Sequence, residues 1–156
     1  MKIFSKAEID GAIKHFRSQK FQEVEVSLNG NRFSYFVLPQ TLEPNLLNFV
    51  HRRTGANPDE YVFGVSDNTN EKYRQYVAFH EFFEFTKIGI SVPDRCVMSL
   101  KEELLLVPGD IKVDYVKMRR NFFKDLIAYC SNQPANYTDS DLNEFRKSLV
   151  ELERLV

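Results

Sequence analysis

The sequence predicts an α+β domain, a small antiparallel sheet of about three strands packed against about six helices. Two runs of alternating apolar and polar residues meet at an Asn-Gly pair, a strong short-range hairpin signal. Longer segments elsewhere repeat apolar residues at three- and four-residue spacing, the period of a helix face. Neither a repeat nor a low-complexity linker interrupts the chain, so residues 1–156 read as a single domain.

Taken in order, "SKAEIDGAIKHFRSQ" places Ser5 and Glu8 at capping-box spacing ahead of Ile9, Ile13 and Phe16. A first helix over 6–19 follows. "FQEVEVSL" and "RFSYFVL" are the hairpin strands, near Phe21–Leu28 and Arg32–Leu38. "TLEPNLLNFVHRRTG" reads as a helix, with Pro44 in its first turn, the basic residues after His51 at its end and Gly55 closing it. "EYVFGVS" is a third strand, rich in aromatics and valine. After the turn "DNTN" the chain is helical from Glu71 to Lys87. A further helix restarts at Pro93 and Asp94 and runs through "RCVMSLKEELLLV" to Pro108-Gly109. "DIKVDYVKMRRNFFKDLIAYC" carries Ile111, Tyr115, Met118, Phe122 and Leu126 along one side of a long amphipathic helix. "DLNEFRKSLVELERLV" closes the chain with Leu142, Phe145, Leu149 and Leu152 at helical spacing.

Composition narrows the function classes. Of the residues, 43% are hydrophobic and 28% charged, the balance of an ordinary globular protein. Fourteen Phe and seven Tyr with no Trp imply a core filled by aromatic rings. A net charge of −1 argues against a domain that tracks nucleic-acid phosphates. The basic stretch "KVDYVKMRRNFFKD", with Lys112, Lys117, Arg119, Arg120 and Lys124, is interleaved with Asp114 and Asp125 and reads as a solvated helix face. Cys96 and Cys130 form no CxxC and no disulfide framework. No secretory h-region opens the chain and no segment reaches the length of a membrane span, so a reducing cytoplasm and no membrane partner are expected. GxGxxG, P-loop and GxSxG patterns are all absent from the sequence.

Chemistry concentrates in "YVAFHEFFEFTKIG", Tyr76 to Gly89. At about 100° per residue, Tyr76, Phe79, Phe82 and Phe83 form one apolar arc. His80 and Glu84 fall side by side on its border, with Glu81 just beyond. Residues four apart on a helix can grip one object. The order His80-Glu81-Phe82-Phe83-Glu84 follows the H-E-x-x-H logic, in which two ligands share a face and the first glutamate activates water. Here a glutamate, also a competent zinc ligand, stands at the second ligand position. An ordinary hydrogen-bonded His–Glu pair at a helix edge is the bland alternative.

The string "EYVFGVSDNTNEKYRQYVAFHEFFEF" resembles the strand, turn and active-site helix of zincin-type metallopeptidases, in particular the compact ImmA/IrrE-like branch with its "F-x-x-A-H-E-x-x-H". "SLKEELLLVP" is similar to that branch's "A-x-x-L-L-M-P" segment, and the likeness covers roughly residues 61–108. It implies a zincin-like core, His80 as first metal ligand, Glu81 as catalytic base and Glu84 in the place of the second histidine. The third ligand, a glutamate in that branch, falls near Cys96 on counting back from Pro108, with Glu102 and Glu103 as alternatives. Cys96 also stands near a helix start, where the dipole favours a thiolate. A nucleophilic pairing with His80 stays open, as does a plain buried cysteine.

Two functions are therefore expected. One is a zinc-dependent hydrolase acting on peptide bonds, with a protein or peptide as partner. The other is a non-catalytic protein-interaction domain without bound metal.

Overall fold

The computed structural model describes residues 6–39, 48–53 and 60–156. The capping box expected at Ser5 lies outside them. Within the described residues the class is α+β, with four strands, five α-helices and one π-helical segment. The chain forms two compact units, Lys2–Glu81 and Phe82–Val156, and the division falls inside a continuous helical run.

In the first unit, α1 (Lys6–Ser18) precedes strands β1 (Glu23–Leu28) and β2 (Asn31–Leu38). Asn29 and Gly30 both have positive φ, 50° and 76°, the left-handed pair that a two-residue hairpin requires. Glu23 pairs with Phe36 and Leu28 with Asn31 along an antiparallel ladder. β4 (Glu60–Ser66) lies parallel to β2, with Val37 opposite Val65, and β3 (Asn48–Arg53) closes the far edge antiparallel to β4. The order β1-β2-β4-β3 makes the sheet mixed rather than antiparallel, with four strands rather than three.

β3 corrects the helix expected over residues 41–55, of which 41–47 and 54–55 lie outside the described residues. Proline and glycine punctuate a sequence without deciding which kind of element stands between them. The open edge of β4 supplies six paired positions to Asn48–Arg53, and that non-local pairing decides the type. The basic residues His51, Arg52 and Arg53 are accordingly in a strand.

Both faces of this sheet are covered. Phe36 and Leu38 of β2 and Val62 of β4 join Phe16 of α1 in one cluster, flanked by Ala12, Ile13 and Phe21. The alternate residues point the other way, where Phe33 meets Phe79 of α2 (Glu71–Phe82) at 6.1 Å between ring centroids. Two-sided burial is why the last four residues of β2, Tyr35 to Leu38, are all buried.

The second unit holds the π-helical segment Phe83–Ile88, α3 (Arg95–Leu106), α4 (Gly109–Ser131) and α5 (Asp139–Arg154). α5 packs on both α3 and α4. It starts at a complete capping box, with Thr138 accepting from the Asp141 N–H and Asp141 accepting from the Thr138 N–H. Leu100, Tyr115, Phe123, Cys130 and Leu152 are all but fully buried. On α4, Tyr115, Phe122 and Leu126 are buried as their spacing predicts.

Arg119 departs from the reading of that helix as a solvated basic face, because it is fully buried. Its Nε lies 2.8 Å from Glu103 Oε1, and the Tyr115 hydroxyl donates to the same carboxylate. The guanidinium also rests on the rings of Phe122 and Phe123, at 4.9 and 5.1 Å. A buried charge persists only when paired in this way. Arg119→Met strips the buried Glu103 carboxylate of its cation, and urea unfolding should show a loss of about 3–5 kcal/mol. The triple variant Glu103→Leu, Tyr115→Phe, Arg119→Met should recover most of that loss; a triple variant as unstable as the single one contradicts the ion-pair account.

Candidate metal centre

α2 is not an edge helix in its last turns. The five residues from Tyr76 to His80 are all buried, so the border on which the helical wheel places His80 faces the interior. His80 is 1% exposed and Glu84 6%. The helix then widens. Gly89 N–H donates to Glu84 O at 2.8 Å, a five-residue step, and Gly89 takes a φ of 103° that suits only glycine. Such π-helical turns occur often at functional sites, because they re-aim side chains that a regular helix would point elsewhere.

Beyond Gly89 the chain turns back so that α3 packs along the π-helical segment. This places Cys96, in the first turn of α3, beside Glu84, one turn beyond His80 along the same helical run. One donor atom from each of His80, Glu84 and Cys96 lies within 4.8 Å of the other two, and all three residues are buried. Of the six residues singled out from the sequence, the structure brings these three together. Glu103 is buried two turns along α3 with its carboxylate on Arg119 and Tyr115, so it is committed elsewhere. Glu102 is half-buried on the same helix, and neither it nor Glu103 joins the three-donor group. Glu81 is half-buried, next to His80.

The start of α3 is held from α5. Asp94 sits in the left-handed region, φ 63° and ψ 17°, an uncommon state for a residue with a Cβ. Its N–H donates to Glu144 Oε1 at 2.9 Å, and its carboxylate pairs with the Lys147 ammonium. That bond to Asp94 holds the Lys147 pKa above its ordinary value. Arg95 then reaches three carboxylates, with Nε 3.2 Å from Glu84, Nη1 3.5 Å from Glu144 and Nη2 3.6 Å from Asp141. Finally the Ser148 hydroxyl donates to Cys96 Sγ at 3.1 Å. Asp141, Glu144, Lys147 and Ser148 recur at three- and four-residue steps on one face of α5.

These α5 contacts span about fifty positions of sequence, and no local pattern announces them. Only Thr138 and Asp141 carry a readable signal, the T-x-x-D spacing that fixes where α5 begins.

Three donors from imidazole nitrogen, carboxylate oxygen and thiolate sulfur form a chemically competent set for zinc. In a tetrahedral zinc site such atoms stand about 3.3–3.7 Å apart, so side-chain adjustments of about an ångström close the shell. Comparisons with family models, with curated proteins and with solved structures give no match for this chain.

The other cysteine shows the contrast. Cys130 is fully buried at the end of α4, and burial pushes its thiol from 9.0 up to about 11. The Asp141 charge adds to that rise, and a hydrogen bond from Tyr137 opposes it. A pKa raised in the folded state gives stability that is whole below the unfolded value and disappears as pH rises through the folded one. Between pH 9.0 and about 11, wild-type stability should therefore fall more steeply than that of Cys130→Ala in paired chemical denaturations. Identical slopes for the two proteins would contradict this.

Proposed function

We propose that this chain is a zincin-like domain that binds zinc through His80, Glu84 and Cys96. Its activity on this reading is metal-dependent hydrolysis of a peptide bond. The observation that carries the proposal is the convergence of the three buried donors within 4.8 Å. The resemblance of "HEFFE" to the zincin helix supports the choice of reaction, and the substrate is then a protein or peptide.

Each residue has a distinct part. His80 and Glu84 supply nitrogen and oxygen from successive helical turns, and Cys96 supplies sulfur from the start of α3. Glu84 also pairs with Arg95, whose Nε lies 3.2 Å from its Oε1, so its carboxylate is held in place beside Cys96. The Ser148 hydroxyl donates to the sulfur and favours its thiolate. Zinc, when bound, supplies Lewis acidity and lowers the pKa of a coordinated water. Glu81, adjacent to His80, is the residue that would serve as general base toward such a water.

A second reading is favoured by one observation. His80, Glu84 and Cys96 are all at most 6% exposed, whereas a catalytic zinc keeps a position open to substrate. In that case the domain is non-catalytic and serves in protein interaction.

Two measurements separate these readings. Zinc content of untagged protein should be near one per chain, and His80→Ala and Cys96→Ser should each weaken zinc affinity by about a hundredfold or more. Absence of zinc from the wild type, or its retention in both variants, contradicts the site. Glu81→Gln should keep the zinc while lowering cleavage of a casein substrate by about a hundredfold or more. Zinc-loaded wild type without cleavage would establish the non-catalytic reading.

A further inference from the structure

A recess of about 290 Å³ opens wholly within the unit Phe82–Val156, between residues 90–93 and one face of α5. Ile90, Val92 and Pro93 form its apolar wall, and Asn143, Glu144 and Lys147 its polar one. We propose that this recess binds an alkylammonium group, the charged end of a lysine side chain or of a free amine. None of the three metal donors lines the recess, although Arg95 of its lining pairs with Glu84, and this inference does not depend on zinc.

Glu144 carries the argument. It is 5% exposed, and its Oε1 is occupied by the Asp94 N–H and the Arg95 guanidinium. Its Oε2 is buried and accepts no hydrogen bond. A buried carboxylate oxygen left this way costs free energy until a donor reaches it, and an ammonium is the donor best matched to it.

Charge points the same way. Arg95, Glu144 and Lys147 are the charged residues of the lining, and behind them Glu84, Asp94 and Asp141 pair with the two cations, so the cluster of four carboxylates and two cations has an excess of two negative charges. Assigning Glu84 to a metal still leaves one. Both cations are already engaged by these carboxylates, so an anionic guest would have to displace them. The apolar wall suits the methylene stem of a lysine, which packs its carbons while its head seeks charge.

The test is an NMR titration of the full chain, metal-free in EDTA. The probes are Nα-acetyl-lysine methylamide, butylamine, and the neutral Nα,Nε-diacetyl-lysine methylamide. The two amines should shift the Ser91, Val92 and Asn143 amide signals saturably in the millimolar range, while the neutral probe shifts none. Tighter binding of the lysine derivative than of butylamine identifies a peptide side chain as the source; equal binding identifies free amines. Glu144→Gln should weaken binding at least tenfold. Asn143 is exposed, so Asn143→Trp should fill the recess without disturbing the buried charges, with the same loss. No saturable shift with either amine, equal shifts with the neutral probe, or unchanged binding by Asn143→Trp would overturn the proposal. His80→Ala should bind the amines like wild type, so failure of the zinc site is read separately.

Discussion

Asp94 and Arg95 share Glu144 of α5 while Cys96 meets Ser148, and this grip sets where α3 begins and which way its first turn faces. Glu144 is the centre of it. One of its oxygens holds a left-handed backbone at Asp94 and balances the guanidinium of Arg95. Strained backbone of this kind survives only where the surroundings over-determine it, and here Glu144 and Lys147 of α5 do so. Remove the grip, and Cys96 loses its fixed position beside Glu84.

The aromatic helix contributes the complementary constraint. Large rings at Tyr76 and Phe79 bury the end of α2 so fully that His80, and Glu84 one turn on, are drawn inside with them. Burying an imidazole and a carboxylate requires partners that compensate their lost hydration. Arg95 supplies part of that for Glu84, and the change to π-helical geometry turns Glu84 toward α3. The same burial that brings the donors together also restricts access to them, which is why metal binding and catalysis are separable questions here.

Much of this was legible in the sequence because it is local. Helical periodicity located α1, α3, α4 and α5 to within a residue or two, and Asn29-Gly30 located the hairpin. His80 and Glu84 were legible as a pair because four residues make one helical turn. Cys96 came only through a family resemblance and a count back from Pro108. What stayed hidden depends on distant partners. β3 is a strand because β4 offers it an edge, and Arg119 is buried because Glu103 and Tyr115 meet it across two helices. That count left Glu102 and Glu103 as alternatives to Cys96, and only packing separates them.

The central claim is that His80, Glu84 and Cys96 share one metal ion. X-ray absorption at the zinc edge of the zinc-loaded protein examines the donor set directly. One sulfur at about 2.3 Å with the remaining nitrogen and oxygen donors at about 2.0–2.2 Å is the predicted shell. A shell without sulfur, or one unchanged in Cys96→Ser, would contradict it.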